Sequence, residues 1–477
     1  MTARRAEPLA VTPVAATGWR TACLAAHRNG ERFEGLFSTT GDAETVELRA
    51  LFSSPAETRL IVCEARDRSV ETLVEEIPAV AWDEREAHDL YGVRFAGHEP
   101  MRPLLDHDAP LAAWTVPTVG HDTHEVAVGP VHAGVIESGH FRFHVVGERV
   151  LHLDVRLFYK RRGLEAAAAG HLLATALAYA QRACAACAVS NSVAYAQACE
   201  QALGLAPDRE LSRARTLLLE LERVYNHLHD ISAICAGVGF AAGTMAYATM
   251  KEQAQRLNER LAGHRFLFHT VGVGASDQAL DAATVQHARS ELRKLRADHA
   301  RAWRQLQFTG SLQARLEGIG ILTGDDAERL GAVGPGARAA GIPRDLRSES
   351  PHLWYHPFDP VTAPGAAGDV ASRTVQRALE LDQSFAVLDQ LLADPLTPGR
   401  TRMAFGPAEL GVGRVESPRG ATVCVIERNG GRLRAMHLRT GSYANWPALA
   451  HATAGNLLPE FPLINKSFEL CYACADR

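Results

Sequence analysis

The sequence predicts an α+β fold: a small mixed α/β unit over residues 1–110, then a mainly helical unit with peripheral strands over residues 120–477. Three observations carry this expectation. Strand-like alternation gathers near residues 44–63 and 128–157 and in roughly the last 80 residues. Helical character dominates after Gly163. A proline-marked break, Ala109 to Val119 with Pro110 and Pro117, separates the two units. The length of 477 residues suits two to four domains.

In the first unit, Glu44 to Phe52 alternates polar and apolar side chains and Thr58 to Cys63 is a short apolar run, so both are expected as strands. Ser69-Val-Glu-Thr-Leu-Val-Glu-Glu has a serine cap followed by acids, which predicts a helix start. A second short helix, Asp83 to Leu90, is dense in acids and stops at Gly92. Beyond the linker, Phe141 to Val146 and Val150 to Leu157 alternate as strands. Pro207 to Ile231 reads as a helix whose Leu211, Leu218, Leu221, Tyr225 and Leu228 build one apolar stripe. Further long helices are predicted near 241–268, 276–308 and 368–393, an irregular insertion over 331–366, and strands and loops after about residue 397.

Composition narrows the function classes. Apolar residues make up 47% and charged residues 22%, which excludes disordered and disulfide-knot chains. The net charge of −5 offers no footprint for nucleic acid. The most apolar run, Leu172 to Ala180, is far shorter than the ~20 residues a bilayer needs. No apolar h-region follows the arginines near the N-terminus, so no secretory signal is expected. Nine cysteines spread along a long chain suit a reducing cytosol, where paired cysteines hold metal or do redox chemistry.

Two Cys-x-x-Cys pairs stand out: Cys184 with Cys187, between two helical stretches, and Cys471 with Cys474 near residue 477. Sulfurs three residues apart can face one metal, and thiolates select zinc, iron–sulfur or nickel-type centres over magnesium or calcium. A redox dithiol and a closed structural zinc site are the alternatives. Cys23, Cys63, Cys199, Cys235 and Cys424 sit in apolar contexts and are expected to be buried small hydrophobes.

Several ordered motifs carry a resemblance. They are Trp82-Asp-Glu-Arg-Glu-Ala-His-Asp-Leu-Tyr-Gly-Val-Arg-Phe-Ala-Gly-His98, Gly129-Pro-Val-His-Ala-Gly-Val-Ile-Glu-Ser-Gly-His-Phe-Arg-Phe143, and Arg156-Leu-Phe-Tyr-Lys-Arg-Arg-Gly-Leu-Glu165. Gly334-Pro with Arg338, Gly341, Asp345 and Arg347, then Glu416-Ser-Pro-Arg-Gly420 and Tyr443-Ala-Asn-Trp-Pro447, follow in order. Over nearly its whole length the chain resembles the large subunit of group 4 nickel–iron hydrogenases, of the formate hydrogenlyase and hydrogenase-4 type. These are relatives of the fused C and D subunits of complex I, the 30-kDa and 49-kDa families.

The resemblance implies a 30-kDa-like docking unit over 1–110 and a hydrogenase unit over 120–477. It implies a nickel–iron centre whose iron carries carbon monoxide and cyanide, with Cys184 and Cys471 as terminal nickel ligands and Cys187 and Cys474 as bridging ones. Glu137 matches the carboxylate that relays protons, and Arg419 the arginine over the open metal position. His140 is expected to be structural, and Glu165 to pair with a nearby base. The implied reaction interconverts dihydrogen with protons and electrons. Its implied partners are an iron–sulfur small subunit, integral membrane proton-translocating subunits, and a formate dehydrogenase or ferredoxin-like donor. The chain itself is expected to hold no iron–sulfur cluster, and to sit at the cytoplasmic face of the inner membrane. It departs from the family pattern at Ala185 (glycine), at Asn191 (histidine) and at Glu469-Leu470 (Asp-Pro). Family members commonly carry a C-terminal extension, removed after metal insertion at a place matching Arg477. The alternative functions are a complex I-like quinone-site subunit and a zinc-stapled scaffold.

Overall fold

The computed structural model of the protein describes residues 8–41, 45–55, 57–118, 120–132, 137–349, 353–355 and 358–477. In the N-terminal part, strands Ala10–Val14, Thr58–Ala65, Val46–Ser53 and Arg32–Thr40 lie in that order in one sheet. The first pair is parallel and the others antiparallel. Helix Trp19–Arg28 packs Trp19, Cys23 and Leu24 onto one face of the sheet, against Val46, Leu48, Ile61 and Cys63. Both predicted strands are present; Glu44, where the first was expected to begin, lies outside the described residues.

The helix expected from Ser69 is not formed. Ser69–Glu71 is instead a strand paired in parallel with Arg94–Ala96. Glu84 explains the difference: its carboxylate accepts from Thr72 Oγ1 at 2.6 Å and from the Leu73 amide at 2.8 Å. Those bonds fix the segment after Ser69 in a conformation that local propensity alone does not favour.

The acid-dense helix spans Ala81–Tyr91, and Gly92 ends it at φ 67°, a left-handed cap that suits glycine. The acids of this helix face inward. Asp83 pairs with Arg439 at 3.0 Å, Glu86 with Arg477 at 2.6 Å, and Asp89 accepts from the amides of Leu104 and Leu105. Glu34 with Arg414 and Arg49 with Glu427 add to this seam. The outer face of the N-terminal sheet closes over it, with Phe37, Leu51 and Leu60 packed on Val412, Val423 and Val425.

Those valines belong to an antiparallel sheet of Leu410–Ser417, Gly420–Asn429 and Arg432–Arg439. It lies between the N-terminal sheet and helix Ala188–Leu203. A Cβ on Gly413 would sit 1.8 Å from the Ala194 carbonyl oxygen, and one on Gly411 2.0 Å from that of Ala198. Only glycine lets the helix lie this close to the strand.

The longest helix, Arg209–Gly237, starts at an Asp208 cap that accepts from the Leu211 amide at 2.7 Å. It packs with Ala241–Ala262 and Val370–Leu391, and Ala282–Gln307 packs on both of those. The predicted stripe is buried, and so is most of the opposite face: Glu220, Glu222, Arg223, Asn226, His227 and Asp230 are all at most 1% exposed. Buried charges are paired here, as burial requires. Glu380 on the neighbouring helix accepts from His227 at 2.9 Å and from Arg338 at 2.8 Å. Arg338 also reaches Glu416 at 2.8 Å, and Asp345 is held by Arg347 at 2.7 Å.

Three boundaries differ from expectation. The helix expected over 241–268 ends at Ala262, because Gly263 adopts φ 75°, and the helix expected from 276 starts after the Asp281 cap. After residue 440 the chain is helical rather than strand-and-loop: Gly441–Thr453, Phe461–Phe468 and Tyr472–Asp476. The Thr440 side chain caps the first of these, and Trp446 packs against Phe141 and Tyr472. Within the expected irregular insertion, Gly334–Ala339 and Leu346–Glu349 are short helices, while 350–352 and 356–357 lie outside the described residues.

Candidate metal centre

The two cysteine pairs meet. The sulfurs of Cys184, Cys187, Cys471 and Cys474 all lie within 4.8 Å of one another, although 284 residues separate Cys187 from Cys471. The Cys184 and Cys471 sulfurs are 3.3 Å apart. Sulfurs on one tetrahedral metal with bonds near 2.3 Å sit about 3.8 Å apart, so the spacing matches a shared metal.

Cys184 and Cys187 occupy the turn between helices Leu173–Gln181 and Ala188–Leu203. The long central helix fastens that turn. Asn226 Nδ2 donates to the Ala186 carbonyl at 2.8 Å, and the Tyr225 hydroxyl reaches the carbonyls of Ala185 and Ala186. Glu222 accepts from the amides of Val189 and Ser190, occupying the N-terminus of the following helix. Burial pushes the Glu222 carboxyl up to about 7 despite these bonds and that to the Ser190 hydroxyl.

The second pair sits on the last turn of the chain. Glu469 adopts φ 51°, an uncommon conformation for a non-glycine residue, where the family pattern has Asp-Pro. The Cys471 amide donates to Ser442 Oγ at 3.0 Å, and Thr440 Oγ1 donates to the Cys474 carbonyl. Arg162 ties both pairs together, donating to the carbonyls of Arg182, Ala183 and Ala473.

The thiols of Cys184, Cys187 and Cys474 are shifted by their bonds to one another. Hydrogen bonds with Cys187, Cys471 and Cys474 hold the Cys184 thiol well below the ordinary value against the cost of burial. The same bonds, and the resulting charge, push Cys187 and Cys474 up.

Arg419 is buried beside these sulfurs. It follows Pro418 in the turn before Gly420, whose φ is 114° and whose backbone touches Gly334 too closely for any side chain. Its Nη1 donates to Asp230 at 2.9 Å, while its Nε is buried with no partner. Burial disfavours the cation, but Asp230, Cys471 and Cys187 outweigh it and raise the pKa. The same Asp230 oxygen accepts from Arg377 at 2.9 Å.

Glu137 stands at the other side of the second pair and accepts from the Ala473 amide at 2.6 Å. Partial burial raises its carboxyl above the ordinary value, with Cys471 and Asp476 adding to the shift. The rest of its motif, 133–136, lies outside the described residues. His140 is structural, with Nδ1 facing the Gly129 carbonyl at 3.2 Å, and Glu165 pairs with Arg477 at 3.2 Å. Asn191, one turn after Cys187, is fully buried with neither amide atom bonded. The five other cysteines are buried and free.

Sequence reasoning missed Asp230, Glu222, Asn226 and Arg162. Glu222, Asn226 and Asp230 lie on the helix whose apolar stripe drew attention away from its polar residues, and Arg162 lies in a quoted motif without a role of its own there.

Comparison with known proteins places this geometry. Residues 12–114 match the family of the respiratory-chain NADH dehydrogenase 30 Kd subunit, and residues 237–408 that of the 49 Kd subunit. Hydrogenase-4 component G of Escherichia coli is 30% identical over 442 residues, covering 87% of this chain and 77% of that protein. The chain belongs to the group 4 nickel–iron hydrogenase large-subunit family. This is an oxidoreductase family that also includes fused complex I proteins: the C/D-type NADH-quinone oxidoreductase protein of Phocaeicola vulgatus is 26% identical, covering 66% of this chain and 70% of its own. Formate hydrogenlyase subunit 5 of E. coli is 30% identical over 84% of this chain and 76% of its own. Among solved structures, a chain of the membrane-bound sulfane sulfur reductase, an archaeal respiratory membrane complex, aligns with a TM-score of 0.68 at 25% identity. The alignment covers 76% of this chain and 100% of that one. Among the described residues, no helix of this family member is long and apolar enough to cross a membrane.

Proposed function

We propose that the chain is the catalytic large subunit of a membrane-associated, energy-converting hydrogenase complex. The observation that carries this reading is the convergence of four sulfurs from two distant Cys-x-x-Cys pairs next to one buried guanidinium. The donor set fits the family's group: four soft thiolate ligands, and a buried Arg419 Nε with no protein partner of its own. Cys184, Cys187, Cys471 and Cys474 would together hold a nickel–iron centre. That centre supplies Lewis acidity, which a substrate as weakly acidic as dihydrogen requires.

The protein's own groups do the rest. Asp230 fixes the Arg419 guanidinium, which offers a planar charge that keeps its proton. Glu137, which accepts from the Ala473 amide and whose carboxyl is raised by partial burial, holds a proton more readily than an ordinary carboxylate and would relay it. Electrons pass to an iron–sulfur subunit, and membrane subunits anchor the assembly at the cytoplasmic face, with residues 1–110 as a unit distinct from 120–477. A formate dehydrogenase or ferredoxin-like protein would be the donor. The quinone-site reading gives no work to four converging thiols, and a zinc scaffold gives none to Arg419. Elemental analysis and infrared spectroscopy of the purified complex test the proposal: nickel with iron, and bands of iron-bound carbon monoxide and cyanide, are expected. Zinc alone, or no metal, overturns it.

A further inference from the structure

We propose that the cavity at the seam between the two units, lined by Arg32 from the first and Arg344 from the second, binds a small organic molecule through a phosphate or carboxylate group. The site shares no residue with the metal centre and does not depend on the function proposed above.

The cavity measures about 480 Å³, within the range of pockets that enclose metabolite-sized ligands. The N-terminal unit supplies the stretch after helix Trp19–Arg28, with Gly30, Arg32 and Phe33, and a second stretch with Ile77 and Ala79. The other unit supplies helix Gly324–Arg329 and residues between Gly331 and Arg344. Along one wall the units are in firm contact: a Cβ on Gly331 would lie 2.7 Å from that of Ala79. Phe33 and Ile77 are buried and Ile342 is half-buried, so part of the lining is apolar.

The charges around the cavity leave one guanidinium unanswered. Among the described residues, the Arg32 side chain makes no hydrogen bond and has no carboxylate within ion-pair distance. Glu34, two residues on, gives both its oxygens to Arg414. Glu76 pairs with Arg20 at 2.8 Å and Glu31 faces Arg59 at 3.6 Å, and neither of those arginines lines the cavity. Arg329 is taken by Asp326 at 2.9 Å, and Asp325 is exposed in the first turn of its helix. Arg344 has only a loose contact, 3.8 Å to a Glu328 side chain that is 66% exposed. Its backbone is fixed, because its carbonyl accepts from Arg338 at 2.9 Å and so ties this wall to the buried charge web. Burial, with Arg344 and Arg414 adding to it, outweighs Glu34 and Glu416 and lowers the Arg32 pKa, so the cation is held at a cost.

Two guanidinium groups on one cavity select an oxyanion. A phosphate or carboxylate presents two or more oxygens that match the planar fork of arginine, and it relieves the repulsion between the two cations. The apolar part of the lining suits a ligand with a carbon body behind the anionic group. Because the lining comes from both units, such a ligand braces the seam and stabilises the folded chain.

The test uses the purified complex at constant ionic strength, so that charge screening stays the same throughout. Inorganic phosphate and succinate are titrated separately by calorimetry. Saturable binding of at least one, with a Kd of about 10 mM or tighter, is expected, and the tighter of the two names the anionic group. Arg32→Gln and Arg344→Glu should each weaken that binding about tenfold or more. Arg296→Gln, at an exposed arginine on helix Ala282–Gln307, should leave it unchanged. The Arg344 side chain is 41% exposed, so its variant decides the matter where Arg32→Gln folds poorly. In the unaltered complex, amide exchange over residues 30–33 and 341–345 should slow as the probe binds. No saturable binding of either probe within that limit, binding to Arg344→Glu within twofold of the wild type, or unchanged exchange in both segments overturns the proposal.

Discussion

Replacing Asp230 by asparagine removes one negative charge from between two buried guanidinium groups while keeping its shape. Both Arg377 and Arg419 donate to the same carboxylate oxygen at 2.9 Å, and all three side chains are at most 4% exposed. A hydrogen bond to a charged group contributes about 1.5–3 kcal/mol. Two such bonds place the loss at about 3–6 kcal/mol, in line with the ~3–5 kcal/mol cost of breaking a buried pair. Arg377 keeps the carbonyls of Arg373 and Phe468, so its half is partly compensated. Among the described residues, Arg419 makes no second side-chain hydrogen bond. The expected loss is therefore about 3 kcal/mol for Asp230→Asn and about 1 kcal/mol more for Asp230→Ala, which also leaves a cavity. Chemical denaturation followed by tryptophan emission measures it. The pH dependence provides a second check. The Asp230 carboxyl is held well below its ordinary value, because Arg419, His227 and Arg377 outweigh the cost of burial. A depressed pKa gives stability that is present above the unfolded value near 3.9 and lost as pH falls toward the folded one. The wild type should lose its advantage over Asp230→Asn on acidification below about pH 4. A difference under ~1 kcal/mol at neutral pH, or one that persists unchanged at pH 2, would refute the reasoning.

Other outcomes follow from the same geometry. Glu137→Gln should abolish hydrogen–deuterium exchange activity while leaving nickel content intact, since the amide keeps the Ala473 contact but carries no proton; surviving exchange counts against the relay. Arg419→Lys should cripple turnover, because an ammonium cannot reproduce the planar guanidinium bound to Asp230; kcat within twofold of wild type would show that the planar shape is not needed. Any one of Cys184, Cys187, Cys471 and Cys474 replaced by serine should lower bound metal to a small fraction of wild type, read by elemental analysis. Burial holds the Glu222 carboxyl at about 7, so folding binds a proton there, and stability falls as pH rises from about 4.3 to 7. Denaturation across that window should lose this slope in Glu222→Gln; an unchanged slope would assign it elsewhere.

Much of the fold was readable from local pattern, and the exceptions share one cause. Strands such as Thr58–Ala65 and the long helix from Asp208 declare themselves by periodicity and capping. Ser69–Glu71 does not, because its conformation is set by Glu84, which lies on a different element. Likewise the chain after Thr440 coils into helices because Trp446 and Tyr472 pack onto Phe141, a partner some 300 residues away. The four cysteines were legible because spacing advertises metal chemistry, but their supports were not. Asn226 and Glu222 are ordinary helix residues until the turn they hold is known. The acids of Ala81–Tyr91 were legible only as an acid-dense helix, whereas Arg439 and Arg477 take Asp83 and Glu86 inside, a pairing no local window contains.

The buried charge web around Glu380 also has a consequence for how such a chain can change over time. Arg338 is shared by Glu380, Glu416 and Asp345, and Glu380 in turn by His227. Losing any one member strands its neighbours in a dry interior, a penalty that consumes much of the margin by which proteins stay folded. Stepwise drift is therefore blocked even where each final combination would be viable. Descendants of a common ancestor should keep the whole web or exchange several members together, so that surfaces diverge freely around an interior inherited as a block.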